Sequence, residues 1–222
     1  MIIAGDAESD LLAAELVIAL RDEVTEAESG YGEGAQPLHA SVEPKFYGAG
    51  GAHMAHAGVE LVYDTGSSQA GRQKVFARLL GLRRAFAKVY ELALSREPHA
   101  IICVGFFGFN LRLARGIKRY VRHREGTFYN WDPKIIQINT PERWGSRSSR
   151  IQALSKHINC VLSANPSEKE WYTRHAPNLR FEYAGQIRNA SEVSGAVRRM
   201  AQVIVQLLME SEAHFPLRAH LA

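Results

Sequence analysis

Short unbroken apolar runs alternate along this chain with longer stretches in which apolar residues recur every third or fourth position, and the two rhythms predict strands and helices. Ile2-Ile3-Ala4 reads as a truncated strand ended by Gly5-Asp6. A polar turn through Asp10 leads into a helix whose stripe is Leu12, Leu16, Ile18 and Leu20 and which ends at Arg21. Residues 28–37 form a polar Gly/Ser/Pro-rich loop, and Pro44-Lys45-Phe46-Tyr47-Gly48 a strand. The loop Gly48-Ala49-Gly50-Gly51, a short helix around Met54 and a strand at Val59-Glu60-Leu61-Val62-Tyr63 follow. Across residues 72–96 the positions Val75, Leu79, Leu82, Phe86, Val89 and Ala93 keep helical spacing while Arg72, Lys74, Arg78, Arg83, Arg84 and Lys88 fill the other faces, a basic amphipathic helix stopped by Pro98.

Ala100-Ile101-Ile102-Cys103-Val104 is apolar throughout, as befits a strand covered on both faces in a parallel sheet. A glycine-aromatic loop from Gly105 to Asn110 and a basic helix from Leu111 to Arg124 come next. Strands at 134–138, 159–162 and 180–184 then alternate with helices at 147–157 and 167–175. A last helix carries Val193, Val197, Met200, Ile204 and Leu207 on one stripe. Such alternation predicts a doubly wound, three-layer, mostly parallel α/β sheet. Ligands of such sheets bind beyond the carboxyl ends of the strands, which directs attention to the loops after Ala4, Gly48, Val104, Ile138 and Leu162.

Composition adds exclusions. At 222 residues, 46% hydrophobic and 23% charged, the chain excludes disorder, collagen and coiled coil. It has no run of about 18 apolar residues and opens without a basic leader, so a cytoplasmic, non-spanning protein is expected. The net charge of +4 permits an anionic partner without choosing one. Cys103 and Cys160 read as reduced thiols in buried strands. The nine histidines lack metal-ligand spacing, so neither metal nor cofactor is expected. The basic residues are not interleaved with aromatics in a nucleic-acid motif.

The strand-end loops, taken in order, resemble the amino-terminal, acceptor-side half of the lipid-A-disaccharide synthases. Ala4-Gly5-Asp6-Ala7-Glu8-Ser9-Asp10 is similar to the family's A-G-E-x-S-G-D opening, and Gly48-Ala49-Gly50-Gly51-Ala52-His53-Met54 with Gly58 to its G-x-G-G-x-x-M and downstream glycine. Phe109-Asn110 matches D-F-N; Thr140-Pro141 through Trp144 and Arg147 match S-P-x-x-W-x-W-R; Pro166-Ser167-Glu168-Lys169 matches P-F-E-K; Gly185-Gln186 stands at the family's G-H. The agreement covers residues 1–188. It implies a Rossmann-like domain, residues 1–188, that is one half of a two-domain (GT-B-like) glycosyltransferase, with residues 189–222 a helix and tail packed on it. The implied reaction moves a diacylglucosamine from UDP onto diacylglucosamine 1-phosphate.

Two departures bear on activity. Gly105 and Gly108 stand where the family motif offers carboxylates, and Ser9 replaces its glycine; a lost general base costs roughly 10² to 10⁴ in rate. Only about 35 residues follow Gly185, no room for a second sugar-nucleotide domain, so an incomplete or degenerate enzyme is expected. The alternative is a non-catalytic module that binds a glycolipid or sugar phosphate.

The resemblance marks Gly5, Asp10, Gly50, Gly51, Asn110 and Arg147 as substrate-binding, with Asp10 the candidate catalytic group. Each residue has a plainer reading. Asp10 would hold a sugar hydroxyl or a proton, or cap the helix that follows it. Gly48 to Gly51 would let backbone amides approach a phosphate, or form a tight turn. Asn110 would bond a sugar, or cap the helix starting at Leu111. Arg147 would clamp a phosphate, or be a solvated first-turn arginine. The implied partners are a glycolipid or UDP-sugar substrate and a second glycosyltransferase half or a second copy of this chain. The basic helix of residues 72–88 would be a peripheral contact with the inner membrane, or an ordinary crossover helix.

Overall fold

A computed structural model describes residues 1–29, 44–64, 75–124, 130–139, 148–185 and 190–212. Seven strands are joined by helical crossovers: β1 (Ile2–Ala4), α1 (Ala7–Ser29), β2 (Tyr47–Gly50), α2 (Ala52–His56), β3 (Glu60–Asp64), α3 (Val75–Arg96), β4 (Ala100–Val104), α4 (Phe107–Arg124), β5 (Lys134–Ile138), α5 (Ser148–His157), β6 (Cys160–Ser163), α6 (Pro166–His175), β7 (Arg180–Tyr183) and α7 (Ala190–Glu212). The strands form one sheet in the order β3-β2-β1-β4-β5-β6-β7, and every pairing is parallel. This is the doubly wound, three-layer Rossmann-like fold. Strand order reverses between β1 and β4, so the crevice between their carboxyl ends is where such folds hold ligands.

Sheet strands covered on both faces must be apolar throughout, and β1, β4 and the last four residues of β5 are buried without exception. Alternate side chains feed two cores. Ile3, Ile101, Cys103, Ile135 and Val161 meet α3, α4, α5 and α6; Ile2, Ile102, Val104, Ile136, Ile138 and Leu162 meet α1, α2 and α7. Cys103 and Cys160 are buried free thiols, each held near pKa 12 by burial, as inert structural cysteines should be. Met200, Ala201 and Ile204 of α7 are buried in the second core, and α7 packs along α1.

The structure shifts several boundaries. Helix α1 runs to Ser29 rather than Arg21, because α7 supplies partners for its polar last turns: Arg198 pairs with Glu23 at 3.0 Å and Glu26 at 3.1 Å, and Gln202 donates to Glu23. Ile18 is 53% exposed; the buried stripe is Ala13, Leu16, Val17 and Leu20. Gly48 and Gly50 lie inside β2 rather than in a loop. Gly48 has φ +156°, and a Cβ there would overlap the Ile2 carbonyl oxygen, so only glycine lets β1 and β2 pair at this point. Helix α4 starts at Phe107, four residues before the position read from sequence. Helix α6 begins as its sequence dictates, with Asn165 accepting from the Ser167 amide and Pro166 in the first turn.

Candidate functional site

The carboxyl ends of β1, β2, β4 and β5 bring together most of the residues singled out in sequence. Asp6, just before α1, accepts a hydrogen bond from the Ser9 amide at 2.8 Å, the bond an N-cap makes. Asp10 therefore lies within the first turn of α1 and does not cap it. Its carboxylate reaches the start of α2 instead, accepting from the amides of Gly51 at 2.6 Å, His53 at 3.0 Å and Met54 at 3.3 Å. Gly51 precedes α2 and has no side chain with which to cap it, so Asp10 caps that helix from a distance of 41 residues in sequence.

This arrangement decides what the glycine segment can offer. The amides of Gly51, His53 and Met54 are donated to this chain's own carboxylate, which is 3% exposed, and none of the three is left for a phosphate in this structure. A Cβ on Gly51 would sit 2.8 Å from Asp10 Oδ2, so the glycine is needed to admit the carboxylate.

On the other side of the crevice, Gly105 ends β4 with φ +59°, and Phe106 follows with φ +36°. The Phe106 ring lies over Gly5, whose missing side chain makes room for it, and stacks on Phe109 at 5.2 Å. A Cβ on Gly105 would overlap Ser9 Oγ, so the hydroxyl of α1 occupies the space into which a side chain at 105 would project. Gly108 has nothing within 4 Å of the corresponding position.

Asn110 is fully buried within α4 rather than at its start, so it does not cap the helix. Its amide donates to the Gly105 carbonyl at 2.7 Å and approaches Gln137 Oε1 at 3.4 Å; its own Oδ1 accepts from nothing among the described residues. Gln137, 1% exposed on β5, donates to the carbonyls of Gly105 and Ile138, each at 3.0 Å. A buried polar pair thus fixes the β4–α4 loop from beneath, with one buried acceptor, Asn110 Oδ1, unpartnered among the described residues. Arg147, with Thr140, Pro141 and Trp144, lies outside the described residues, as do Arg72, Lys74 and Gln186.

Asp6, Ser9 and Gln137 were missed as site residues. The first two lie inside the opening motif and could have been weighed with Asp10. Gln137 was signalled by being the one polar residue within the run Ile135-Ile136-Gln137-Ile138. Asp6 is exposed, and its Oδ2 has no partner among the described residues, making it the free carboxylate at the mouth of the crevice.

Comparison with known proteins gives the family. The family model for lipid-A-disaccharide synthetase matches residues 1–187. The lipid-A-disaccharide synthase of Myxococcus xanthus is 28% identical over 182 residues, 82% of this chain and 40% of that protein. That of Geobacter sulfurreducens is 27% identical with the same coverage. That of Alcanivorax borkumensis is 26% identical over 204 residues, 90% of this chain and 46% of the relative. The chain spans less than half the length of these curated relatives, and the family model ends before α7. Its sheet, strand-end loops and family-wide match identify this chain as a member of the lipid-A-disaccharide synthase family.

Proposed function

We propose that the chain is the acceptor-side half of a lipid A glycosyltransferase. In that role it holds diacylglucosamine 1-phosphate at the β1/β4 crevice while a UDP-diacylglucosamine is presented by a second domain or partner chain. The observation that carries this reading is the convergence of the family's motif positions, Gly5 to Asp10, Gly50-Gly51 and Gly105 to Asn110, on one crevice at the switch point of the sheet.

In the transfer, an acceptor hydroxyl attacks the anomeric carbon, the bond from that carbon to the UDP oxygen breaks with its electron pair leaving on the diphosphate, and the hydroxyl proton needs a base. Asp10 is unsuited to that task, since both its oxygens are engaged by backbone amides and it is buried. Asp6 is suited to it, with one oxygen anchored by Ser9 and the other open to the crevice. Asn110 is fully buried, so its part is to hold the β4–α4 loop through the Gly105 carbonyl rather than to touch a sugar. No helix among the described residues is long and apolar enough to cross a membrane. A lipid acceptor then calls for contact with a bilayer surface, and exposed Arg83, Arg84 and Lys88 on α3 supply cations for it.

The test is incubation with UDP-diacylglucosamine and diacylglucosamine 1-phosphate in mixed micelles, with and without chains that carry the remaining half. Saturable retention of the acceptor, transfer near background by the chain alone and transfer restored by a partner are expected. Gly108→Asp puts a carboxylate into open space in the first turn of α4 and should raise the restored rate. Robust turnover by the unmodified chain alone would show that the chemistry is misplaced, and retention without turnover under every pairing would favour a binding module.

A further inference from the structure

The two outer layers carry opposite charge. Helices α3, α4 and α5, on one face of the sheet, hold thirteen lysines and arginines against the single Glu91. Helices α1 and α7, on the other, hold ten carboxylates against three arginines. The concentration is sharpest on α4, which has no acidic residue and presents exposed Arg112, Arg115, Arg119 and Arg122 along one side. Arg112 is braced over the Phe86 ring at 4.9 Å; Arg115, Arg119 and Arg122 form no ion pair among the described residues. Three unpaired cations in a row repel one another at a cost that no ion pair offsets among the described residues.

The complementary ridge lies on α1. Glu8, Leu11, Glu15, Ile18 and Asp22 follow at steps of three and four, so they share a side. Glu15 and Asp22 form no ion pair among the described residues, while Leu11 and Ile18 between them are 47% and 53% exposed. The ridge borders a groove of about 880 Å³ between α1 and α7. The arginine row extends about 15 Å and the ridge about 21 Å, at 1.5 Å per helical residue.

We propose that a second copy of this chain lays the arginine side of its α4 on the α1 ridge of its neighbour. The guanidinium groups pair with Glu15 and Asp22, and the aliphatic stems of the arginines cover Leu11 and Ile18, a division of labour that arginine performs well. A lone anionic surface would satisfy the cations but leave those two apolar side chains in water. Among the described residues no exposed large hydrophobic lies within the arginine row, as insertion into a bilayer would require. Because the two faces differ, the contact is head-to-tail and each added copy presents a fresh face, giving chains or rings rather than a dimer joined by one shared patch.

The test uses the whole chain in sedimentation velocity at about 0.02 M and about 0.5 M salt. At low salt the weight-average mass should rise with concentration to at least about twice that of one chain, and it should return to one chain at high salt. The triple variant Arg115→Glu/Arg119→Glu/Arg122→Glu and the double variant Glu15→Lys/Asp22→Lys, each checked for native circular dichroism, should each remain single at low salt. Mixed together they should form pairs and nothing larger, since each retains the face that the other has lost. Single chains of wild type at every concentration, association that survives either charge reversal, or failure of the mixture to pair would each overturn the proposal. So would retention of single wild-type chains on phosphatidylglycerol vesicles that is lost in the arginine variant, which would assign the row to a membrane.

Discussion

At the scale of single residues, Ser9 and Gly105, which look like independent departures in sequence, meet in space and are expected to be one exchange. A Cβ on Gly105 would overlap Ser9 Oγ, which fills the space beside Gly105 Cα. Gly105→Asp alone should destabilise by roughly 1 to 3 kcal/mol from overpacking, although aspartate tolerates a left-handed backbone better than most residues. In a Ser9→Gly background the cost should shrink, with a coupling of about 0.5 to 3 kcal/mol in a urea-denaturation cycle. Additive effects would refute the exchange. Gly108→Asp should change stability by no more than about 0.5 kcal/mol. Asp10→Ala strands three amides and should cost roughly 2 to 4 kcal/mol in the same measurement, with Asp10→Asn costing less because one acceptor oxygen survives. The identity of Asp10 as a residue of consequence was legible, but its task was not. A cap supplied from 41 residues away depends on where β1 and β2 place their ends, which no local window contains.

At the scale of elements, strands were the most legible, since β4 and β5 are apolar runs with no competing reading, and their ends agree with the sequence at Val104 and Ile138. Helix starts and ends were harder. The last turns of α1 are polar and rest on Arg198 and Gln202 of α7, more than 170 residues away. The start of α4 hides in a glycine-aromatic segment that propensity marks as loop, and the buried Asn110 and Gln137 amides fix it there. Packing of α4 against α5 carries a pH consequence. His157 at the end of α5 has a buried Nδ1 without a partner among the described residues. Burial first, then the cations Arg115, Arg122, Lys156 and Lys118, lower its pKa below the ordinary 6.5. A histidine depressed in the folded state binds its proton more readily when unfolded. Its contribution is therefore neutral above the ordinary value, and stability is lost as pH falls below it. Melting temperature should fall between about pH 7.5 and pH 5.5, less steeply in His157→Gln, and a slope unchanged by the substitution would show that another group governs it.

For the whole molecule, one question is what α7 does for a sheet that needs both faces covered. The α1-side face of β4, β5 and β6 exposes Ile102, Val104, Ile136, Ile138 and Leu162, and α7 meets this core with Val197, Met200, Ile204 and Leu207 buried and Val193 partly so. Each of those five side chains contributes on the order of 1.5 to 3 kcal/mol when fully buried, before the entropy of ordering the helix is subtracted. Their sum is comparable with the entire stability of about 5 to 15 kcal/mol that a domain of this kind retains. A chain ending at Asn189 should thus lose its cooperative thermal transition and bind a dye that reports exposed apolar surface, and Met200→Ala in the full chain should cost roughly 2 to 5 kcal/mol. Both are read by circular dichroism and denaturant titration. If the truncated chain melts as the full one does while Met200→Ala is neutral, α7 adds nothing to the fold, and its stripe belongs to a contact with another molecule. Partial loss with a retained transition would place the sheet's stability in α1 and the β-strand ladder, with α7 a reinforcing layer.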